Sequence, residues 1–406
     1  MTPDRIAPAV ALPRAAVAAP SVSERARPNY KLLGLLALGH LVIDTNQGSL
    51  PALLPHLKSG LGLTYAATGV IVLMANVTSS LIQPLFGFLA DQTARRWLLP
   101  VSVFLSAVGI SFTGVAPSYY AVLALVMLGG FGVAAYHPEG YRTATQVAGE
   151  RKATGVSIFS TGGNIGIALG PPVMTALVTT LGLPGSLGLL IPGLLVAGLL
   201  MAVLPGLSRP LPARTQGASR APRTMVGAMS LLIVVVAIRS WTQIGFSTYV
   251  PFYYLEVLKG DPRMVGTLLA VFLGAGAAGT LIAGPISDRI GHRRYMVGVF
   301  FLATPLAVGF MLVSGIWSFI LLAALGVVLV STFTVSVVLG QAYMPRNVGM
   351  ASGLIVGFAI GAGGTGATVL GWIADHWGLP SALWISALTP VLGCLLALTL
   401  PEPRPR

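Results

Sequence analysis

Apolar residues arrive along the chain in blocks, approximately 32–55, 66–90, 97–116, 119–146, 153–181, 185–205, 228–254, 264–287, 295–314, 317–342, 349–375 and 381–400. A bilayer core about 30 Å thick takes roughly twenty helical residues per crossing, so each block predicts one spanning helix. Short polar segments such as Asp261-Pro262 and Met344-Pro345-Arg346-Asn347 separate them. The expected fold is an all-α polytopic membrane protein of twelve transmembrane helices, with nothing left over for a soluble domain.

Composition agrees with that pattern. The 406 residues are 55% hydrophobic and 9% charged, against about 25% charged in soluble domains, which excludes a soluble enzyme. A lone cysteine, Cys394, excludes a disulfide scaffold. The net charge of +13 could suggest nucleic acid, but the basic residues cluster in alternate connections: Arg95 and Arg96, Arg151 and Lys152, Arg209 to Arg223, Arg289 to Arg294, Arg346, and both tails. This is the positive-inside pattern, so both termini are expected to be cytoplasmic in a bacterial-type inner membrane, with lipid and not nucleic acid as the surrounding partner. Residues 1–30 lack an apolar signal-peptide core and read as a disordered cytoplasmic tail. The Pro-, Arg- and Ser-containing segment 206–227 reads as a cytoplasmic linker between six-helix bundles at 31–205 and 228–400, with a short tail at 401–406.

An internal repeat supports the division. Gly87-Phe-Leu-Ala-Asp91-Gln-Thr-Ala-Arg95-Arg96 recurs about 197 positions later as Gly284-Pro-Ile-Ser-Asp288-Arg289-Ile-Gly291-His-Arg293-Arg294. Ala153-Thr154-Gly155 likewise matches Ala351-Ser352-Gly353. These paired loops resemble the signature of the major facilitator superfamily, although Gln92 and Ala94 depart from it. His40-Leu-Val-Ile-Asp44, Gln83-Pro84-Leu-Phe-Gly87, His137-Pro138-Glu139 with Arg142, and Gly162-Gly163-Asn164 further resemble its fosmidomycin-resistance branch of bacterial drug exporters. The resemblance implies two pseudo-symmetric halves, a midplane site and a single-chain monomer. It also implies cytoplasmic latches made by Asp91, Arg95 and Arg96, and by Asp288, Arg289 and Arg293.

Charges that no loop can hold mark the candidate site, because a charge at bilayer depth costs at least roughly 2.5–3.5 kcal/mol. His40, Asp44 and Gln47 share one face of the first helix. On the fourth helix His137, Glu139 and Arg142 surround Pro138, and Glu139 and Arg142 are spaced to pair. Arg239 and Gln243 stand one turn apart on the seventh. Asp44, Glu139 and His137 are the expected proton-coupling residues. Arg142, Arg239, His40, Gln47, Asn164 and Gln243 are the expected substrate contacts, and the intramembrane arginines favour an anion. A static polar network, a fixed Glu139–Arg142 pair and a snorkelling Arg239 remain open alternatives.

No nucleotide-binding fingerprint or metal-ligand motif occurs, so no cofactor is expected and a proton gradient is the expected energy source. The expected function is proton-coupled efflux of a small anionic drug or metabolite, such as a phosphonate antibiotic, by alternating access. Proton-coupled uptake of an organic anion, or a non-transporting receptor, are the alternatives; an enzyme is not expected.

Overall fold

The computed structural model describes residues 28–92, 95–149, 151–207, 225–345, 348–359 and 361–402. The N-terminal tail through 27, the linker residues 208–224 and residues 403–406 lie outside the described residues.

Within them the chain folds into rods that match the predicted crossings. The first half comprises α1 (Tyr30–Leu61), α2 (Tyr65–Asn76) continued by a π-turn (Val77–Leu81) into α3 (Gln83–Gln92), α4 (Leu98–Ser111), α5 (Tyr119–Val147), α6 (Lys152–Leu181) and α7 (Leu190–Leu207). The second comprises α8 (Val226–Glu256), α9 (Val265–Ile290), α10 (His292–Leu312), α11 (Ile316–Tyr343), α12 (Val348–Gly353) continued by a π-turn (Leu354–Ala359) towards α13 (Gly363–Trp377), and α14 (Leu379–Ala397). Eleven of the rods are long and apolar enough to cross a bilayer. The remaining rod is α1, whose apolar run is diluted by the polar face that carries His40, Asp44 and Gln47. It also runs past the expected limit at 55. Pro51 and Pro55 do not end it, because Leu53, Leu54 and Leu57 are buried around them, and Gly62 in the left-handed region (φ 62°) closes the helix instead.

The repeat is visible in the backbone. Asn29 N–H donates to the Val147 carbonyl (2.9 Å) and Met225 N–H to that of Tyr343 (2.8 Å), so each half ties the start of its first rod to the end of its fourth in the same way.

We call the end where α1 begins and α14 finishes proximal, and the other distal. One apolar core fills the distal end and draws on both halves, joining Leu53, Leu57 and Ile71 to Phe246, Leu269 and Leu370. Toward the proximal end the core divides. Leu33, Val103, Tyr136 and Phe159 belong to a cluster of the first half alone, and Leu232, Phe300, Leu339 and Ile355 to a cluster of the second. The apolar core thus joins the halves distally and is divided between them proximally, where the halves still meet at Gly353 and Gly357 against Pro84 of α3.

Glycine sets the position of α1 within its half. A Cβ at Gly162, Gly166 or Gly170 of α6 would fall 2.1, 2.3 or 2.4 Å from the carbonyl oxygens of Ala37, Leu41 and Thr45. The two backbones therefore touch along one stripe, as small residues permit in membranes, and this contact turns the polar face of α1 toward α5 and α6.

Candidate functional site

That face assembles a triad. Asp44 Oδ2 lies 3.3 Å from His40 Nε2 on its own helix, and Asp44 Oδ1 lies 3.2 Å from His137 Nε2 on α5. His40 is 4% exposed, and its Nδ1 sits 2.8 Å from the Phe159 carbonyl oxygen of α6 while its ring stacks on that of Phe159. A carbonyl oxygen only accepts, so Nδ1 must carry a hydrogen. A neutral His40 would then aim the lone pair of Nε2 at a carboxylate. The contact is favourable only when a proton lies between Nε2 and Asp44, on one or the other.

Gly163 makes the triad possible. A Cβ there would stand 2.4 Å from His40 Nε2 and 2.6 Å from Asp44 Oδ2. Gly163→Ala is expected to cut transport about tenfold or more by displacing these groups, at an overpacking cost of about 1–3 kcal/mol. Gly34→Ala on α1, where a Cβ meets nothing within 4 Å, is the control that should leave flux unchanged.

The triad lines a cavity of about 250 Å³ together with Gln47 and Asn164, and the second half contributes Phe333 and Val356 to its wall. A neighbouring cavity of about 210 Å³ also spans the halves; Asn76, Ser240, Gln243 and Thr248 supply its polar wall. Gln47, Ser79 and Val133 line both cavities and form the partition between them. Asn46, in contrast, is buried and donates to Ser106 Oγ (3.3 Å), away from both.

Behind the second cavity lies Arg239, 2% exposed. Its guanidinium donates to Gln243 Oε1 and, at 3.0 Å, to Ser240 Oγ, which are wall residues of that cavity, and its Nε has no partner. No Asp or Glu lies within 4.0 Å of it among the described residues. Burial at this depth removes the snorkelling alternative, and a buried cation without an acid is costly.

The fourth predicted helix splits its charges between two places. His137 faces Asp44, but Glu139, two residues on and about 200° around the helix, turns away from both cavities and is 1% exposed. No ion pair within 4.0 Å joins it to Arg142, so the fixed Glu139–Arg142 pair that their spacing left open is not formed. Arg142, the Arg95 backbone, Arg96 and Thr143 surround the Glu139 carboxyl, yet no hydrogen bond of normal geometry reaches either oxygen, and Nη1 of Arg142 is also unsatisfied. Arg96 is itself buried and donates to Gln146 Oε1 (3.1 Å) at the end of α5.

Of the expected proximal latches, the side chain of Asp91 lies outside the described residues. Asp288 pairs with His292 (3.6 Å) one turn away rather than with Arg293, whose guanidinium reaches the Leu398 carbonyl beyond α14; Asp288 and Arg289 are exposed at the end of α9.

A distal latch has no signature in the sequence. Asp375, in the last turn of α13, accepts from the Tyr65 and Ala66 backbone N–H groups (2.8 Å each), capping α2 across the two halves. The Tyr65 hydroxyl donates to Glu256 at the end of α8, Lys58 Nζ stands 3.8 Å from the same carboxylate, and it lies 4.3 Å above the Tyr65 ring. Gly69 and Gly371 let the backbones close, since a Cβ on either would lie 2.6 and 2.4 Å from the carbonyls of Ala367 and Tyr65.

Two repeated bundles closed at one end around polar, charge-bearing cavities define a membrane transport protein. Residues 36–365 and 260–406 match the Major Facilitator Superfamily, and the chain belongs to that family of transporters; it is a multi-pass membrane protein and not an enzyme. It is 33% identical over 402 residues to the fosmidomycin resistance protein of Escherichia coli K12, covering 97% of this chain and 98% of that one. It is 32% identical over 400 residues to the uncharacterized MFS-type transporter YfnC of Bacillus subtilis 168, covering 95% and 98%. Among solved structures, a bacterial homologue of the human lysosomal transporter Spinster superposes with a TM-score of 0.78 at 14% identity, covering 91% of this chain and 96% of that one. The nucleoside transporter NupG gives 0.73 at 15% identity, covering 92% and 100%.

Proposed function

We propose that the chain exports a small anionic drug or metabolite, such as the phosphonate fosmidomycin, in exchange for protons. The reading is supported most by the His40–Asp44–His137 triad, whose geometry calls for a proton and which faces a cavity between the halves. The relative that confers fosmidomycin resistance supports the direction and the substrate class. By the positive-inside distribution of basic residues the proximal end is cytoplasmic, so the side on which the apolar core is divided between the halves faces the cytoplasm.

The sign of the coupling needs a physical account, because a proton alone would attract an anion. Antiport follows if the substrate spans both cavities. Its anionic group approaches the Gln243 wall in front of Arg239, while an O–H or N–H at its other end donates to the Asp44 carboxylate. That donor and the proton then compete for the same oxygen, and each drives the other off. Gln47, on the partition, sits beside both ends. Glu139, whose carboxyl has no hydrogen bond of normal geometry, and Arg142 lie outside the cavities, so the coupling proton is assigned to the triad; the chain works as a monomer with no bound cofactor.

The direct test is flux in proteoliposomes under an imposed pH gradient with a phosphonate panel. The reading predicts substrate movement against its gradient, opposite to the proton; movement with the proton would favour uptake. Arg239→Gln is expected to raise KM for anionic substrates about tenfold or more, the worth of one charge-assisted interaction, while a neutral analogue keeps its KM.

A further inference from the structure

A surface cleft separate from the two cavities lies at the proximal end between α10 and α14, with a volume of about 610 Å³. Arg293, whose guanidinium also donates to the Leu398 carbonyl of the opposite wall, and Arg294 stand at its mouth in the first turn of α10. Gly291 caps that helix without a side chain, so its first-turn amides add positive partial charge at the same place. One carboxylate shares the cleft: Glu402 lies 4.0 Å from Arg294 Nε, and both side chains are largely exposed at 56% and 77%. Val297 and Phe301 continue the Arg293 face of α10 at successive turns into the bilayer, and Leu398 faces them from the far wall. Phe301 is 70% exposed and Leu398 47%. Gly298 opens the floor, where a Cβ would meet nothing within 4 Å.

We propose that this cleft binds an anionic phospholipid, with the phosphate at Arg293, Arg294 and the α10 amides and an acyl chain along Val297, Gly298 and Phe301. A free anion needs only the basic mouth; the apolar strip leading from it into the membrane favours a lipid. The site belongs to one half. Arg96, at the repeat position of Arg293, is buried against Gln146 and leaves no such mouth. The inference requires a membrane-spanning chain and holds whatever the chain transports.

The test is lipid titration of the purified full-length protein followed by native mass spectrometry, with phosphatidylglycerol, phosphatidylcholine and inorganic phosphate as probes. Wild type should retain phosphatidylglycerol in preference to phosphatidylcholine. The double variant R293Q/R294Q should weaken phosphatidylglycerol binding about thirtyfold, at the usual worth of two interfacial arginines, and leave phosphatidylcholine unchanged. Gly298→Leu fills open space without touching charge or fold, and it should weaken the lipid while leaving phosphate binding as it was. Unchanged phosphatidylglycerol affinity in both variants overturns the proposal. So does inorganic phosphate that competes as strongly as the lipid, which would make the cleft a free-anion site.

Discussion

Asp44→Asn is expected to lower pH-driven transport at least about a hundredfold while leaving downhill exchange of substrate within about threefold of wild type. Asparagine keeps the volume of the side chain and can hydrogen bond one histidine, but it cannot hold a proton. Each histidine contact is a charge-assisted bond worth about 1.5–3 kcal/mol, and about 2.7 kcal/mol corresponds to a hundredfold. Proteoliposomes with and without an imposed gradient separate the two activities. Driven flux that persists in the variant would remove Asp44 from the coupling step, and loss of both activities would indicate a structural role for the triad.

Asp375→Ala is expected to open the distal end. The carboxylate accepts two backbone hydrogen bonds of 2.8 Å from the opposite half, and losing bonds of this kind at about 1.5–3 kcal/mol each shifts the closed-to-open ratio by at least tenfold. Spin labels on the distal ends of α2 and α13, in a chain with Cys394 replaced by Ser, should report a longer distance population in the variant. Glu256→Gln should act in the same direction but by less, because the Glu256 side chain is 44% exposed and its pair with Lys58 is screened by water. An unchanged distance distribution in Asp375→Ala would show that the apolar core alone holds the distal closure.

The crossings were legible because each is a run of apolar residues whose length the bilayer dictates, and the first rod announced its role by breaking that rule with His40, Asp44 and Gln47. The meeting of Asp44 with His137 was half legible: both were picked out as deep titratable groups, but their contact depends on how α1 lies on α6. The separation of His137 from Glu139 could have been read from helical periodicity, which places residues two apart on nearly opposite faces. The role of Gly163 has no sequence signature, because nothing in a glycine's neighbours in sequence reveals which side chains it makes room for. Asp375 and Glu256 escaped notice because an acid at a helix end looks like an ordinary interfacial residue. Tyr65 and Asp375 are 310 positions apart, and no local pattern connects them. The π-turns at Val77–Leu81 and Leu354–Ala359, which interrupt two of the rods, likewise lie inside runs that remain apolar enough to read as continuous helices.

The central claim is that substrate and proton compete for Asp44. Its most direct test is the proton balance of binding, measured by adding fosmidomycin to purified protein in weakly buffered detergent solution and following pH. Competition predicts that wild type releases protons as substrate binds and that Asp44→Asn releases none. Proton uptake on binding would contradict the exchange mechanism and make the pair cooperative, as uptake with the proton requires.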